Sequence, residues 1–356
     1  MKLINNIDRQ TRDSGIELLK IFAIFVIVIN HTVQSLTNEA YNIPNNGFVI
    51  DISRATTNIQ CILLQIFRHF GVLGNSVFFI CSAWFLLKSK NWNKKKWLFM
   101  VIEIWVVSIV IFIITYIILH GNISIGIIIS SLFPTTFGNN WYMTCYLLFY
   151  PIHPILNSIV NMMNQRQLLV MVFLYVFMNF INCSWFFSSA IILWITIYFA
   201  IAYMQKYLMS FVDNIRENII LFIIGVIGFI GIILITDICG LYSQVLSDKV
   251  MRWVNNCNPF LLAMSIAMFN IARNIHFKNR FINYISKLSL LIYIIHENII
   301  LRTYFRPAMW NYVYKRFGYS DVIQWVFIIS FIIFIFGILC SILYVLTLQR
   351  FVNKVS

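Results

Sequence analysis

The chain keeps returning to apolar runs of about twenty residues, the length at which a helix can cross a bilayer core. Ten such runs can be marked: Ile16 to Ser35, Cys61 to Leu87, Trp97 to Leu119, Trp141 to Met162, Leu168 to Asn182, Ser188 to Met204, Ile219 to Thr236, Pro259 to Ile271, Ile285 to Leu301 and Val322 to Leu346. The second is long enough for its first part to be a re-entrant or interfacial segment, and the fifth and eighth are short. The expectation is an all-α, polytopic membrane protein of about ten transmembrane helices, forming one integral-membrane domain over residues 1–356. Composition agrees: 60% of the residues are hydrophobic and 11% charged, whereas a soluble domain is about half apolar and about a quarter charged. That balance excludes a water-soluble globule, a disordered chain, a coiled coil and a disulfide-stapled secreted domain.

The formal net charge is +14. A basic chain can signal a nucleic-acid partner, but here the lysines and arginines sit in short clusters between the apolar runs, as they do in proteins that face anionic lipid. With the N-terminus placed in the cytoplasm, basic residues on that side outnumber those outside roughly two to one. Both termini are therefore expected to be cytoplasmic, in agreement with an even number of spans. The first apolar run follows a polar start and has no small-residue cleavage site after it, so no cleaved leader is expected. The seven cysteines form no CxxC pair and have no clustered histidines, so no metal site is expected.

The first run carries the ionisable residues Glu17, Lys20 and His31. At 100° and 1.5 Å per residue, Lys20 and His31 differ by about 20° around the helix and about 16 Å along it, and Glu17 is about 40° from His31. The three share one stripe, with Lys20 toward the cytoplasmic end and His31 toward the outer end. Lys20 could merely snorkel, Glu17 could merely pair with Lys20 or Arg12, and His31 could be a satisfied interfacial histidine. One stripe holding all three favours a polar pathway, because ionisable groups within a span usually face the protein interior. The ninth run carries His296, Glu297 and Asn298, and it places His296 at a depth similar to His31. Lys94, Lys95 and Lys96 follow the second run, either as a topology signal or as a clamp for the phosphates of an anionic ligand. Arg68, Asn75 and Ser82 descend the second run, and Trp141 opens the fourth as an aromatic anchor. There is no GxSxG, HExxH, Walker loop or DxD pair, which leaves histidine as the best general base.

Four stretches together resemble acyltransferase family 3, the integral-membrane acyltransferases that mostly acetylate surface glycans. Arg12-Asp-Ser-Gly-Ile-Glu-Leu-Leu-Lys-Ile through His31 resembles the family's opening helix, with a basic residue eleven positions before a histidine. Asn75-Ser-Val-Phe-Phe-Ile-Cys-Ser82-Ala-Trp-Phe-Leu resembles its Phe-Phe…Ser-Gly-Tyr-Phe-Leu segment. Trp141-Tyr-Met-Thr-Cys-Tyr-Leu-Leu-Phe-Tyr, with Pro154-Ile-Leu-Asn157 after it, resembles its Trp-Phe…Pro-Phe-Leu-Asn span. Leu291-Ile-Tyr-Ile-Ile-His296-Glu-Asn resembles its Tyr-Leu-Ile-His-Glu-Asn element. Lys20 stands where the family has arginine, and Ala83 where it has glycine.

The resemblance implies a multi-pass enzyme of a bacterial cytoplasmic membrane. It would move an acetyl group from cytoplasmic acetyl-CoA, bound only as the donor, to a hydroxyl of a surface or lipid-linked glycan. His31 would be the general base or acyl carrier, with His296 and Ser82 orienting it or the thioester. Lys20, Arg12, Lys94, Lys95 and Lys96 would hold the CoA phosphates, and Arg68, Asn75, Trp141 and Glu297 would meet the substrate. Two other classes share the composition, a flippase or transporter of lipid-linked oligosaccharide and a glycan polymerase. Neither would consume acetyl-CoA.

Overall fold

The computed structural model describes residues 13–37, 50, 52, 55–136, 140–181, 190–246, 258–318, 320–350 and 352. These form helices and connecting turns. In chain order they are α1 (Ser14–Thr37), α2 (Ile59–Arg68), α3 (Phe70–Leu86), α4 (Lys94–Ile118), α5 (Ile125–Leu132), α6 (Trp141–Met162), α7 (Gln165–Ile181) and α8 (Ala190–Tyr207). There follow α9 (Met209–Asp213), α10 (Ile215–Tyr242), α11 (Pro259–Asn274), α12 (Arg280–Lys287), α13 (Ser289–His296), a π-helical turn (Leu301–Phe305), α14 (Arg306–Phe317) and α15 (Val322–Thr347).

Among the described residues, six helical segments are long and apolar enough to cross a membrane, not about ten: Ser14–Leu36, Ile59–Leu86, Lys94–Ile118, Trp141–Met162, Ile215–Tyr242 and Val322–Thr347. The chain is a multi-pass membrane protein, with fewer candidate spans among the described residues than its apolar runs suggest. The other four runs fall short for two reasons. Leu168 to Asn182, Ser188 to Met204 and Pro259 to Ile271 lie on helices whose apolar stretches are under eighteen residues. Runs of that size serve equally well as buried core helices. Ile285 to Leu301 is interrupted twice, at Leu288 and again at Glu297, so its central piece α13 has only eight residues. The long run Ile59–Leu86 is one span with a break at His69, which caps α2 and opens α3.

Helix α1 is the axis of the bundle, packed against α2, α3, α11, α12, α13, α14 and α15. Its sequence explains this. It is apolar around most of its circumference, and Ala23, Ile24, Val26, Ile27, Val28 and Val33 are all buried. A helix of that kind belongs inside. In contrast, α4, α10 and α15 each leave a stripe of isoleucine, leucine and phenylalanine exposed, such as Ile113, Ile117, Ile224, Ile227, Phe331 and Leu339. In a membrane protein, stripes like these face lipid.

Close approach of α3 to α1 depends on glycine. A Cβ on Gly74 would lie 2.5 Å from the Ala23 carbonyl oxygen, and one on Gly71 would lie 2.6 Å from Asn30 Nδ2. Small residues let helix backbones approach in this way. Polar side chains then tie other helices together. Asn157 Nδ2 donates to the carbonyls of Leu86 (3.0 Å) and Ser89 (2.8 Å) at the end of α3, and its oxygen accepts from Tyr198 Oη of α8 at 2.6 Å. Asn270 of α11 donates to Asn218 of α10 at 2.8 Å.

Gly74→Val is expected to force α1 and α3 apart and to cost about 1–3 kcal/mol, the usual penalty for overpacking. Thermal unfolding in detergent measures it, and an unchanged midpoint would mean that the two helices have room to spare.

Candidate functional site

Two histidines meet where α1 and α13 run side by side. His31 Nδ1 lies 3.0 Å from His296 Nε2, although 265 residues separate them in sequence. Both rings are buried, with their centroids 5.2 Å apart. The other ring nitrogen of His296, Nδ1, lies 2.8 Å from the carbonyl oxygen of Ile292. A carbonyl only accepts, so His296 Nδ1 carries the hydrogen. A neutral His296 then presents a bare Nε2, and His31 Nδ1–H donates to it. When His31 is also neutral, its lone pair sits on Nε2, the nitrogen on the far side of the ring. Glu297 Oε1, 3.4 Å from His31 Nδ1, stands ready to balance a positive charge on that ring.

Arg306, the first residue of α14, holds this arrangement and is itself buried. Its guanidinium donates to the His31 carbonyl at 3.0 Å, to the His296 carbonyl at 2.5 Å and to Glu297 Oε1 at 2.6 Å. The π-helical turn Leu301–Phe305 brings Arg306 back onto the helix ends it joins. From the same turn, Arg302 Nη1 lies 3.6 Å from Glu297 Oε2. Trp310, one turn further along α14, donates to the carbonyl of Thr32 at 3.0 Å. Sequence reasoning passed over Arg306 and Arg302 as basic residues of an outer loop. The available signal was two arginines following a His-Glu pair within ten residues, which is weak without the turn that redirects them.

His31, His296 and Glu297 offer ligand atoms within 4.8 Å of one another, a set that could hold a metal ion and that sequence spacing did not reveal. Arg306, 2.6 Å from the same carboxylate oxygen, competes with any cation there.

Two cavities of opposite character lie near His296, and His31 lines neither of them. The smaller, about 330 Å³, is lined in part by Lys20, Lys96, Ser82, Asn75, Tyr142 and Tyr293. Lys20 donates to Glu17 at 3.1 Å on its edge, and Glu17 also accepts from Ser286 of α12. Ser82 and Tyr146 share the cavity wall. The cavity reaches Tyr293, whose ring centre is 5.6 Å from that of His296. The larger cavity, about 790 Å³, is almost wholly apolar and lies between α4, α13 and α15, with His296 and Arg306 in its wall. His296 thus lines one cavity and touches the wall of the other.

The remaining sequence candidates scatter. Lys94 and Lys95 are exposed at the start of α4 and do not line the polar cavity. Arg68 donates to Asn30 at 3.2 Å, one residue before His31. Trp141 packs on Tyr142 at the start of α6, outside both cavities. Arg12 lies outside the described residues.

The fold is a bundle of apolar helices around a buried histidine–histidine–carboxylate cluster, with His296 in the wall of the apolar cavity. Residues 13–349 match acyltransferase family 3, described as an acyltransferase domain, and the chain belongs to that family. Membership supports acyltransferase activity with a donor of the acyl-CoA type in general. No curated protein and no solved structure matches the chain significantly.

Because Glu297 is buried, Arg306→Met is expected to destabilise the protein by about 3–5 kcal/mol, the cost of a stranded interior charge. The double variant Arg306→Met/Glu297→Leu should lose less. Unfolding midpoints of both variants test this, and an additive or larger loss in the double variant would contradict it.

Proposed function

We propose that the protein moves an acetyl group from cytoplasmic acetyl-CoA to a hydroxyl of a surface or lipid-linked glycan, in the cytoplasmic membrane of a bacterium. The observation that carries this reading is the hydrogen-bond chain from the Ile292 carbonyl through His296 to His31, because it leaves His31 Nε2 as an unprotonated base. Membership of an acyltransferase family supports it independently.

In this reading the CoA phosphates meet Lys20 and Lys96 at the inner end of the polar cavity, with Lys94 and Lys95 exposed beside them at the start of α4. The thioester arm rises past Ser82 and Asn75 toward Tyr293 and the histidine pair. His31 Nε2 takes the proton of the acceptor hydroxyl as its oxygen attacks the thioester carbonyl. The tetrahedral intermediate expels the CoA thiolate, which receives the proton from His31, leaving CoA thiol and an acetyl ester. While His31 is an imidazolium, its Nδ1–H faces Glu297 and His296, and Glu297 offsets the charge. Arg306 keeps that carboxylate in position. The apolar cavity beside His296 gives the anchoring chain of a lipid-linked acceptor room to lie along α4 and α15.

Purified protein incubated with labelled acetyl-CoA and an acceptor glycan should release thiol and acquire label in the glycan. A transporter or polymerase would do neither. General-base assistance is typically worth 10²–10⁴-fold, so His31→Ala at unchanged expression should lower transfer by about that factor; full activity would refute the assignment. Lys20→Met should raise KM for acetyl-CoA with little change in kcat. A charge-assisted hydrogen bond is worth about 1.5–3 kcal/mol, or roughly ten- to a hundredfold, and Lys20→Arg should restore most of it. An unchanged KM in Lys20→Met would remove the phosphate role.

A further inference from the structure

Buried polar atoms in folded proteins nearly always have hydrogen-bond partners, and those that do not call for an explanation. Two stand in the wall of the polar cavity. Ser289, at the start of α13, is 5% exposed, and its Oγ has no hydrogen-bond partner among the described residues. Asn75 of α3 lines the same cavity, and its Oδ1 is also buried and without a partner. Neither belongs to the histidine cluster, and neither caps a helix.

Their positions in depth are informative. Ser289 precedes His296 by seven residues on one helix, about 10 Å of axial rise. Asn75 precedes Ser82 by the same number on α3, again about 10 Å, and shares the cavity with Ile27, one turn before His31. The cationic residues Lys20, Lys96 and Lys287 border this cavity, and Tyr293 closes it toward the histidines. The two unsatisfied atoms therefore mark successive levels between a cationic mouth and the reacting pair. A ligand that satisfies both needs a polar group at each level and a thin apolar chain between them.

We infer that Ser289 and Asn75 form a subsite for the two secondary amides of the donor's pantetheine arm, Ser289 donating to an amide carbonyl and Asn75 Oδ1 accepting from an amide N–H. The subsite rests on the acyl-transfer reading and adds to it the feature by which the donor is recognised between its phosphates and its thioester. Serine suits this place because its hydroxyl costs little room in a narrow passage. A hydroxyl at a cavity wall with no partner among the described residues is available to bond what enters the cavity.

The test uses the full chain in lipid nanodiscs and reads thiol release from three donors: acetyl-CoA, S-acetyl-N-acetylcysteamine with one amide, and S-ethyl thioacetate with none. Ser289→Ala should raise KM for acetyl-CoA by about three- to tenfold, the usual range for one net hydrogen bond. The effect should fall below twofold with S-ethyl thioacetate. Ser289→Thr should recover the acetyl-CoA value, and the unfolding midpoint without ligand should not fall in Ser289→Ala. Asn75→Leu should behave as Ser289→Ala does. An equal loss with the amide-free donor, a lower midpoint, or a raised KM for the glycan in place of the donor would overturn the subsite while leaving acyl transfer intact. Titration of CoA itself separates the two claims in the other direction. If the unaltered protein releases no thiol from any donor yet Ser289→Ala weakens CoA binding by the same factor, the transfer reading fails and the subsite stands. If Ser289→Ala leaves CoA binding unchanged, the subsite fails.

Discussion

A carboxylate cannot be left alone in a protein interior made of leucine, isoleucine and phenylalanine, and the position of Glu297 obliges the surrounding chain to supply a cation. Arg306 is that cation, and its fork reaches further than the carboxylate. By also binding the carbonyl oxygens of His31 and His296, it fastens α1 to α13 at the depth where the two imidazoles touch. The π-helical turn before it redirects the chain so that α14 begins on the cluster, and Trp310 fixes the next turn of α14 to Thr32. Helix packing elsewhere accommodates this junction. Gly71 and Gly74 let α3 press against α1, which carries Arg68 to Asn30 beside His31.

The surroundings of the histidine cluster are of two kinds. On one side lies a cavity bordered by lysines, hydroxyls and an amide, and on the other a larger apolar space between helices whose outer faces meet lipid. Mostly apolar pockets with a few converging polar groups are the usual form of small-molecule sites. The polar groups of the smaller cavity are drawn from α1, α3, α4, α6, α12 and α13, so it exists only when the helices are assembled.

Part of the arrangement could be read residue by residue. Lys20 and His31 fall on one stripe because eleven residues are close to three helical turns, and that follows from periodicity alone. Asn75, Ser82 and Lys96 could be singled out as polar or basic residues beside apolar runs, and all three line the polar cavity. Arg306 and Ser289 could not, because an arginine in a loop and a serine at a helix start are ordinary until their partners, or the lack of them, are seen. Lys94 and Lys95 show the converse, since three adjacent lysines look alike in sequence but point in different directions on a helix.

The sequence alone determined that this is a helical membrane protein with a histidine in its first span and a His-Glu pair near its last, because apolar length and residue type are local properties. It could not determine the number of spans. Whether an apolar run crosses depends on where helices break, and the breaks at Leu288 and Glu297 carry no proline or glycine to mark them. Nor could it join His31 to His296, since a contact across 265 residues arises from helices lying side by side. Only the tertiary structure brought Glu297 and Arg306 onto that pair, because a buried charge is neutralised by whichever cation the fold, not the order of the chain, sets beside it.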